Sequence, residues 1–164
     1  MIYIDNKYKK PIEIDYQDIA SKVIEEAEDF VDCPYNCEVN LLITDNEEIQ
    51  TLNKEARDID SPTDVLSFPS IEYKAPADFS NIEEDDFNFN PESGELVLGD
   101  IVISYDKVIE QSKEYNHSEI REFAFLVAHS MLHLFGYDHI NDEDRKTMET
   151  EQESILNNLN YRRD

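Results

Sequence analysis

Apolar positions recur along the chain with two periods, and the switches between them mark out short strands and amphipathic helices. Ile2 and Ile4 alternate with Tyr3 and Asp5, which predicts a strand over Met1–Asn6. From Asp15 onward, Ile19, Val23, Ile24, Ala27 and Val31 recur at helical spacing until Pro34 stops them. Val39, Leu41, Leu42 and Ile43 predict a core strand over residues 38–44. Thr44 or Asp45 can then cap a helix, with Glu47 or Glu48 completing a capping box, that runs through Ile49, Leu52 and Ala56 to about Arg57 and Asp58.

The second half follows the same logic with one interruption. Ser61–Pro69 has an apolar centre and a proline at either side, which predicts a short strand at a sheet edge. Residues from about 70 to 95 show no period and contain Glu83-Glu84-Asp85-Asp86, so they are expected to form a solvated acidic loop or insertion. Glu95–Ser104 is the clearest strand, and Gly99 inside it predicts a bulge or the close approach of another group. A helix is expected over Asp106–Tyr115. Another begins at Ser118 and is apolar almost all round, through Phe123, Ala124, Leu126, Val127, Met131, Leu132 and Leu134, as a buried helix must be. A last amphipathic helix, about Asp142 to Leu159, precedes Tyr161-Arg162-Arg163-Asp164. The expected fold is α+β: one domain over 1–164, a small mixed β-sheet packed against a buried central histidine-bearing helix, with other helices around it.

Composition narrows the class. At 164 residues, 40% hydrophobic and 32% charged, the chain is long enough for one sizeable core. It contains no apolar run near the roughly 18 residues of a membrane helix, and its start lacks a signal peptide's apolar segment, so a cytoplasmic location is expected. Cys33 and Cys37 lie in Cys-Pro-Tyr-Asn-Cys, which matches neither a CxxC redox motif nor a zinc ribbon, and reads as two free, partly buried thiols. The net charge of −25 argues against non-specific binding to RNA, whose phosphates call for a basic face. A local cationic patch remains compatible with it, since exposed charges more than about 8–10 Å apart are largely screened at cellular ionic strength.

The chemistry concentrates in Ala128-His129-Ser130-Met131-Leu132-His133-Leu134-Phe135-Gly136-Tyr137-Asp138-His139. His129 and His133 share one helix face. Gly136 supplies a helix stop that lets the chain bring His139 back toward them. Three imidazoles suit a tetrahedral zinc ion with one open position, and such an ion makes a water nucleophilic near neutrality. The spacing is that of metzincin proteases, but Ser130 stands where those have their glutamate base. Asp138 is a candidate for orienting a ligand imidazole or acting as a weak base. The missing base weakens peptide hydrolysis more than phosphodiester hydrolysis, where a metal and a cation can stabilise charge on phosphate oxygens. Arg57 could provide that cation, although an arginine at a helix end is ordinarily a surface ion pair. His117, outside the cluster, reads as structural.

His-Ser-Met-Leu-His-Leu-Phe-Gly-Tyr-Asp-His closely resembles the signature of the YbeY family of bacterial rRNA maturation factors. Leu52–Arg57, Thr63–Pro69 and Leu98–Ser104 resemble further family stretches in the same order, so the likeness spans about residues 40–140. The resemblance implies a zinc-dependent, single-strand-specific endoribonuclease. It implies one zinc ion at His129, His133 and His139, and a functional role for Arg57. It further implies action in maturation of the 3′ end of small-subunit rRNA and in ribosome quality control, with ribosomal RNA, the ribosome and its proteins as partners. Ser130 departs from the family's usual glycine, and the acidic segment is longer than is typical. Two other readings stay open: a zinc metallopeptidase-like hydrolase, and a non-enzymatic ribosome-assembly factor with structural zinc.

Overall fold

Four strands and five helices account for the described part of the chain, residues 1–161 of a computed structural model. Arg162, Arg163 and Asp164, which follow the last helix, lie outside the described residues. The strands are β1 (Ile2–Asn6), β2 (Cys37–Thr44), β3 (Val65–Pro69) and β4 (Leu96–Ser104). The helices are α1 (Tyr16–Phe30), α2 (Asn46–Arg57), α3 (Tyr105–Glu114), α4 (Glu119–Leu134) and α5 (Asp142–Asn158). No helix among the described residues is long and apolar enough to cross a membrane.

The helix starts follow local chemistry. Side-chain oxygens of Asp15, Asp45, Ser118 and Asn141 accept first-turn backbone N–H groups at the N-termini of α1, α2, α4 and α5. Asp58 closes α2 in a left-handed conformation, φ 57°.

The sheet is mixed, in the order β1-β2-β4-β3. β1, β2 and β4 run parallel, and β3 pairs antiparallel with β4, Val65 opposite Ile103 and Pro69 opposite Gly99. On β2, Cys37, Val39, Leu41 and Ile43 are buried while Glu38, Asn40 and Leu42 are half-buried, the alternation the sequence predicts. The buried set faces α1 and α4 in one continuous core. On the other face, Ile49 and Leu52 of α2 cover Leu66, Val102 and Phe68. α4 is central, with eleven of its residues buried.

Gly99 fulfils both halves of its expectation. Its φ is +136°, and a Cβ there would lie 2.2 Å from the Phe68 carbonyl oxygen of β3. The β2–β4 register slips at the same level, between Glu38 and Val39.

The segment from 70 to 95 departs from the picture of a solvated loop. Glu83 to Asp86 are exposed, but Ile71 and Ile82 are buried, and Tyr73, Phe79 and Phe89 pack on the core. Two 3-10 turns, Ile82–Glu84 and Asp86–Asn88, give it what regularity it has. Phe79 meets Phe135 edge-on at 6.0 Å, and the Ala77 N–H donates to the Phe135 carbonyl at 2.8 Å. Irregular backbone makes such contacts one at a time, so they leave no period in the sequence.

Candidate metal centre

α4 ends in a Schellman motif. The Gly136 N–H donates to the His133 carbonyl at 3.0 Å and the Tyr137 N–H to that of Leu132 at 3.0 Å, with Gly136 at φ +94°. The chain therefore reverses immediately after His133. The Asp138 carboxylate accepts the His139 backbone N–H at 2.8 Å, holding the turn that returns His139 over α4.

The three histidines meet. Their ligand-capable nitrogens all lie within 4.8 Å of one another, with His129 and His133 half-buried and His139 exposed. The Nε2 atoms of His129 and His133 are 3.1 Å apart. Two Zn–N bonds of about 2.0–2.1 Å at a tetrahedral angle span about 3.3 Å.

Hydrogen bonds behind the rings decide what that approach means. The Tyr137 carbonyl faces His133 Nδ1 at 3.0 Å and can only accept, so Nδ1 carries the proton. The Gln152 carboxamide oxygen, on α5, faces His129 Nδ1 at 3.1 Å in the same sense. Both Nε2 atoms then present lone pairs to each other. A shared proton would relieve the repulsion, but burial pushes the His129 imidazole down from its ordinary value, and burial with repulsion from His129 pushes His133 down to about 4. At neutral pH a divalent cation suits the gap and a proton does not. The group could hold a metal ion.

Ser67 of β3, His129, His133, Asp138, His139 and Arg57 line one cleft of about 440 Å³. Arg57 is exposed at the end of α2, and no described carboxylate forms a salt bridge with it. Arg57 thus puts one positive charge in the cleft wall of a chain whose net charge is −25.

Three features escape sequence reasoning. Gln152 and the Tyr137 carbonyl orient two of the imidazoles, the part expected of Asp138, which instead ties down the backbone of His139. Phe125 stacks on His129, with ring centroids 6.3 Å apart. Ser130 is fully buried and shares a 2.6 Å hydrogen bond with Ser67, so it ties α4 to β3 beneath the cleft rather than meeting solvent in it. The gaps of 23 and 63 residues to Gln152 and Ser67 leave no local signal, whereas Phe125 and Tyr137 lie four residues from His129 and His133, a spacing visible in the sequence.

A family model described as Endoribonuclease YbeY matches residues 3–160. The chain belongs to the YbeY family. Among its relatives, a Lachnoclostridium phytofermentans protein named Endoribonuclease YbeY is 49% identical over 163 residues, covering 99% of each chain. A Clostridium botulinum protein of the same name is 46% identical, covering 99% of this chain and 100% of the relative. A Thermotoga maritima protein solved in solution has a similar fold, with a TM-score of 0.57 and 26% identity over 98% of this chain and 92% of its own. The YbeY match thus includes α2 with Arg57, β3 and the whole histidine segment.

Proposed function

We propose that this YbeY-family chain is a zinc-dependent endoribonuclease acting on single-stranded RNA, with His129, His133 and His139 holding one zinc ion and Arg57 acting on the scissile phosphate. The observation that carries the reading is the pair of Nε2 lone pairs facing at 3.1 Å in a cleft shared with the exposed Arg57 guanidinium. Its physiological task is maturation of the 3′ end of small-subunit rRNA and ribosome quality control in the cytoplasm, with the ribosome and its proteins as partners. The charge of −25 favours docking on basic ribosomal proteins, which would bring the RNA strand to the cleft.

A divalent ion bound there supplies Lewis-acid chemistry, acidifying a water and polarising a phosphoryl oxygen. The protein's own residues do the rest. Gln152 and the Tyr137 carbonyl hold the Nδ1 protons of His129 and His133, fixing the tautomers that leave Nε2 free. The Arg57 fork makes bidentate contact with phosphate oxygens and offsets charge developing on them. The residue after His129 is a buried serine, bonded to Ser67, with no basic carboxylate to offer. That absence favours phosphodiester over peptide hydrolysis.

The test is cleavage of a short single-stranded RNA by zinc-quantified protein, beside identically prepared His133→Ala and Arg57→Ala variants. The parent should cut and His133→Ala should not. Arg57→Ala should keep its zinc and lose roughly 10²–10³-fold in rate, the scale of one transition-state donor. Absence of cleavage by the zinc-loaded parent, on RNA and on isolated ribosomes alike, would refute the nuclease reading.

A further inference from the structure

Cys33 and Cys37 sit outside the cleft, Cys33 in the turn that joins α1 to β2 and Cys37 as the first residue of β2. Asp32 adopts a left-handed φ of 54°, and the Cys33 N–H donates back to the Glu28 carbonyl at 3.0 Å. Pro34 and Tyr35 then fold the chain so that both thiols rest on one acceptor, the Tyr35 carbonyl, at 3.7 Å from Cys33 and 3.5 Å from Cys37. The two sulfurs are 3.5 Å apart. A disulfide places them at about 2.05 Å, so closure asks for an approach of about 1.5 Å, within reach of side-chain rotation and a small shift of the turn. Cys33 is half-buried and reachable, while Cys37 is buried beneath it.

We propose that Cys33 and Cys37 form a reversible dithiol–disulfide pair, oxidised by exchange with a low-molecular-weight disulfide of the glutathione type. The Cys33 thiolate attacks one sulfur of that disulfide, forming a mixed disulfide and expelling one small thiolate. Cys37 then attacks Cys33 Sγ, closing the intramolecular bond and expelling the second. The two protein thiols are oxidised, the small disulfide is reduced, and the two protein protons leave with the two released thiols. The order follows from exposure and from the shared hydrogen bond: the contact with Cys37 draws the Cys33 thiol down, and the same contact together with burial holds Cys37 up. In a reducing compartment such pairs are transient and sensory rather than structural.

Closure would act on the acidic segment. The Tyr35 ring packs edge-on against Phe89 at 5.4 Å, and its hydroxyl donates to Glu83 at 3.2 Å. The same segment reaches the metal-bearing turn at its other side. Tyr73 covers Gly136, where an added Cβ would lie 2.9 Å from the ring, and Phe79 meets Phe135. Segment 71–90 thus braces the thiol turn and the turn carrying His139. Its link to catalysis rests on the nuclease reading; the thiol chemistry does not.

The experiment incubates the full-length, zinc-loaded protein with glutathione disulfide, quenches in acid, alkylates, and reads intact and peptide masses. The expected product has lost both alkylatable thiols, retains no glutathione, and regains both thiols on reduction. Cys37→Ser should instead trap glutathione on Cys33. Two thiols that stay alkylatable, or a glutathione adduct that accumulates on Cys33 of the parent, would overturn the pair. Hydrogen exchange should quicken within residues 71–90 of the oxidised protein; unchanged protection there would overturn the link to the segment. These readouts need no RNA, so their failure is distinct from failure of the nuclease reading.

Discussion

His117 and His133 are held in opposite ways. The His117 ring is 7% exposed and faces the buried Glu122 carboxylate at 2.5 Å, whose other oxygen accepts from Gln111 at 2.7 Å. The ring nitrogens of His129 and His133 face a carboxamide oxygen and a backbone carbonyl behind, and each other in front. The carboxylate holds the His117 ring by a hydrogen bond and completes a structural pair between α4 and the turn before it. A neutral acceptor only orients the ring, and leaves the opposite lone pair to serve something else. The other ring nitrogen therefore separates the two kinds of histidine: His117 Nδ1 is buried with no described partner, whereas His129 and His133 turn theirs toward each other.

The contrast breaks most visibly at its two poles. His133→Ala removes one of three ligands, so zinc stoichiometry should fall from one to near zero, with RNA cleavage lost alongside it. His117→Ala should keep full zinc and instead lose stability, on the order of 1–3 kcal/mol, because the Glu122 oxygen that faces the ring is left buried without that hydrogen bond. Metal analysis and chemical denaturation of both variants check the pair. Zinc loss in His117→Ala with little loss of stability would erase the distinction.

What the sequence disclosed follows from how far apart the cooperating residues lie. Caps such as Asp15, Asp45 and Ser118 act within one turn of their partners, and the β2 alternation is equally local, so strands and helices were legible. The convergence of the three histidines was legible because i, i+4 spacing and the Gly136 turn are local geometry. Gln152 lies 23 residues from His129 and Ser67 lies 63 from Ser130, so only the tertiary fold brings them together. Arg121 and Glu122, buried on a helix that reads as almost wholly apolar, belong to the same class. Their partners, Glu153 and Tyr161 for the arginine and His117 and Gln111 for the glutamate, come mostly from other elements. The acidic segment differs from a solvated loop because its charged run and Phe87 are exposed while Tyr73, Phe79 and Phe89 pack on the core.

A smaller effect sharpens the rule at the acceptor itself. Gln152→Ala removes the oxygen that holds His129 Nδ1–H while leaving all three imidazoles in place. Zinc affinity should weaken by about 10–100-fold, the range for loss of a group that orients a ligand, with stoichiometry restored at saturating metal. Competition titration against a chelator measures it. An affinity unchanged within threefold would show that the backbone alone sets the ring.

The smallest effect tests whether Ser130 belongs to the cleft or to the framework. Its hydroxyl is fully buried and bonded to Ser67 at 2.6 Å, so Ser130→Gly should cost about 1 kcal/mol for the hydrogen bond and about 1 kcal/mol for glycine within a helix. For a chain of this size that lowers Tm by about 4–8 °C, with zinc affinity close to the parent's. Ser67→Ala should lose only the hydrogen-bond share, and the double variant should fall no further than Ser130→Gly, since one bond cannot be lost twice. Additive losses in the double variant would mean that the two hydroxyls act separately. A tenfold drop in zinc affinity for Ser130→Gly would make the serine part of the metal centre, because a framework contact moves Tm first and leaves three correctly oriented imidazoles behind.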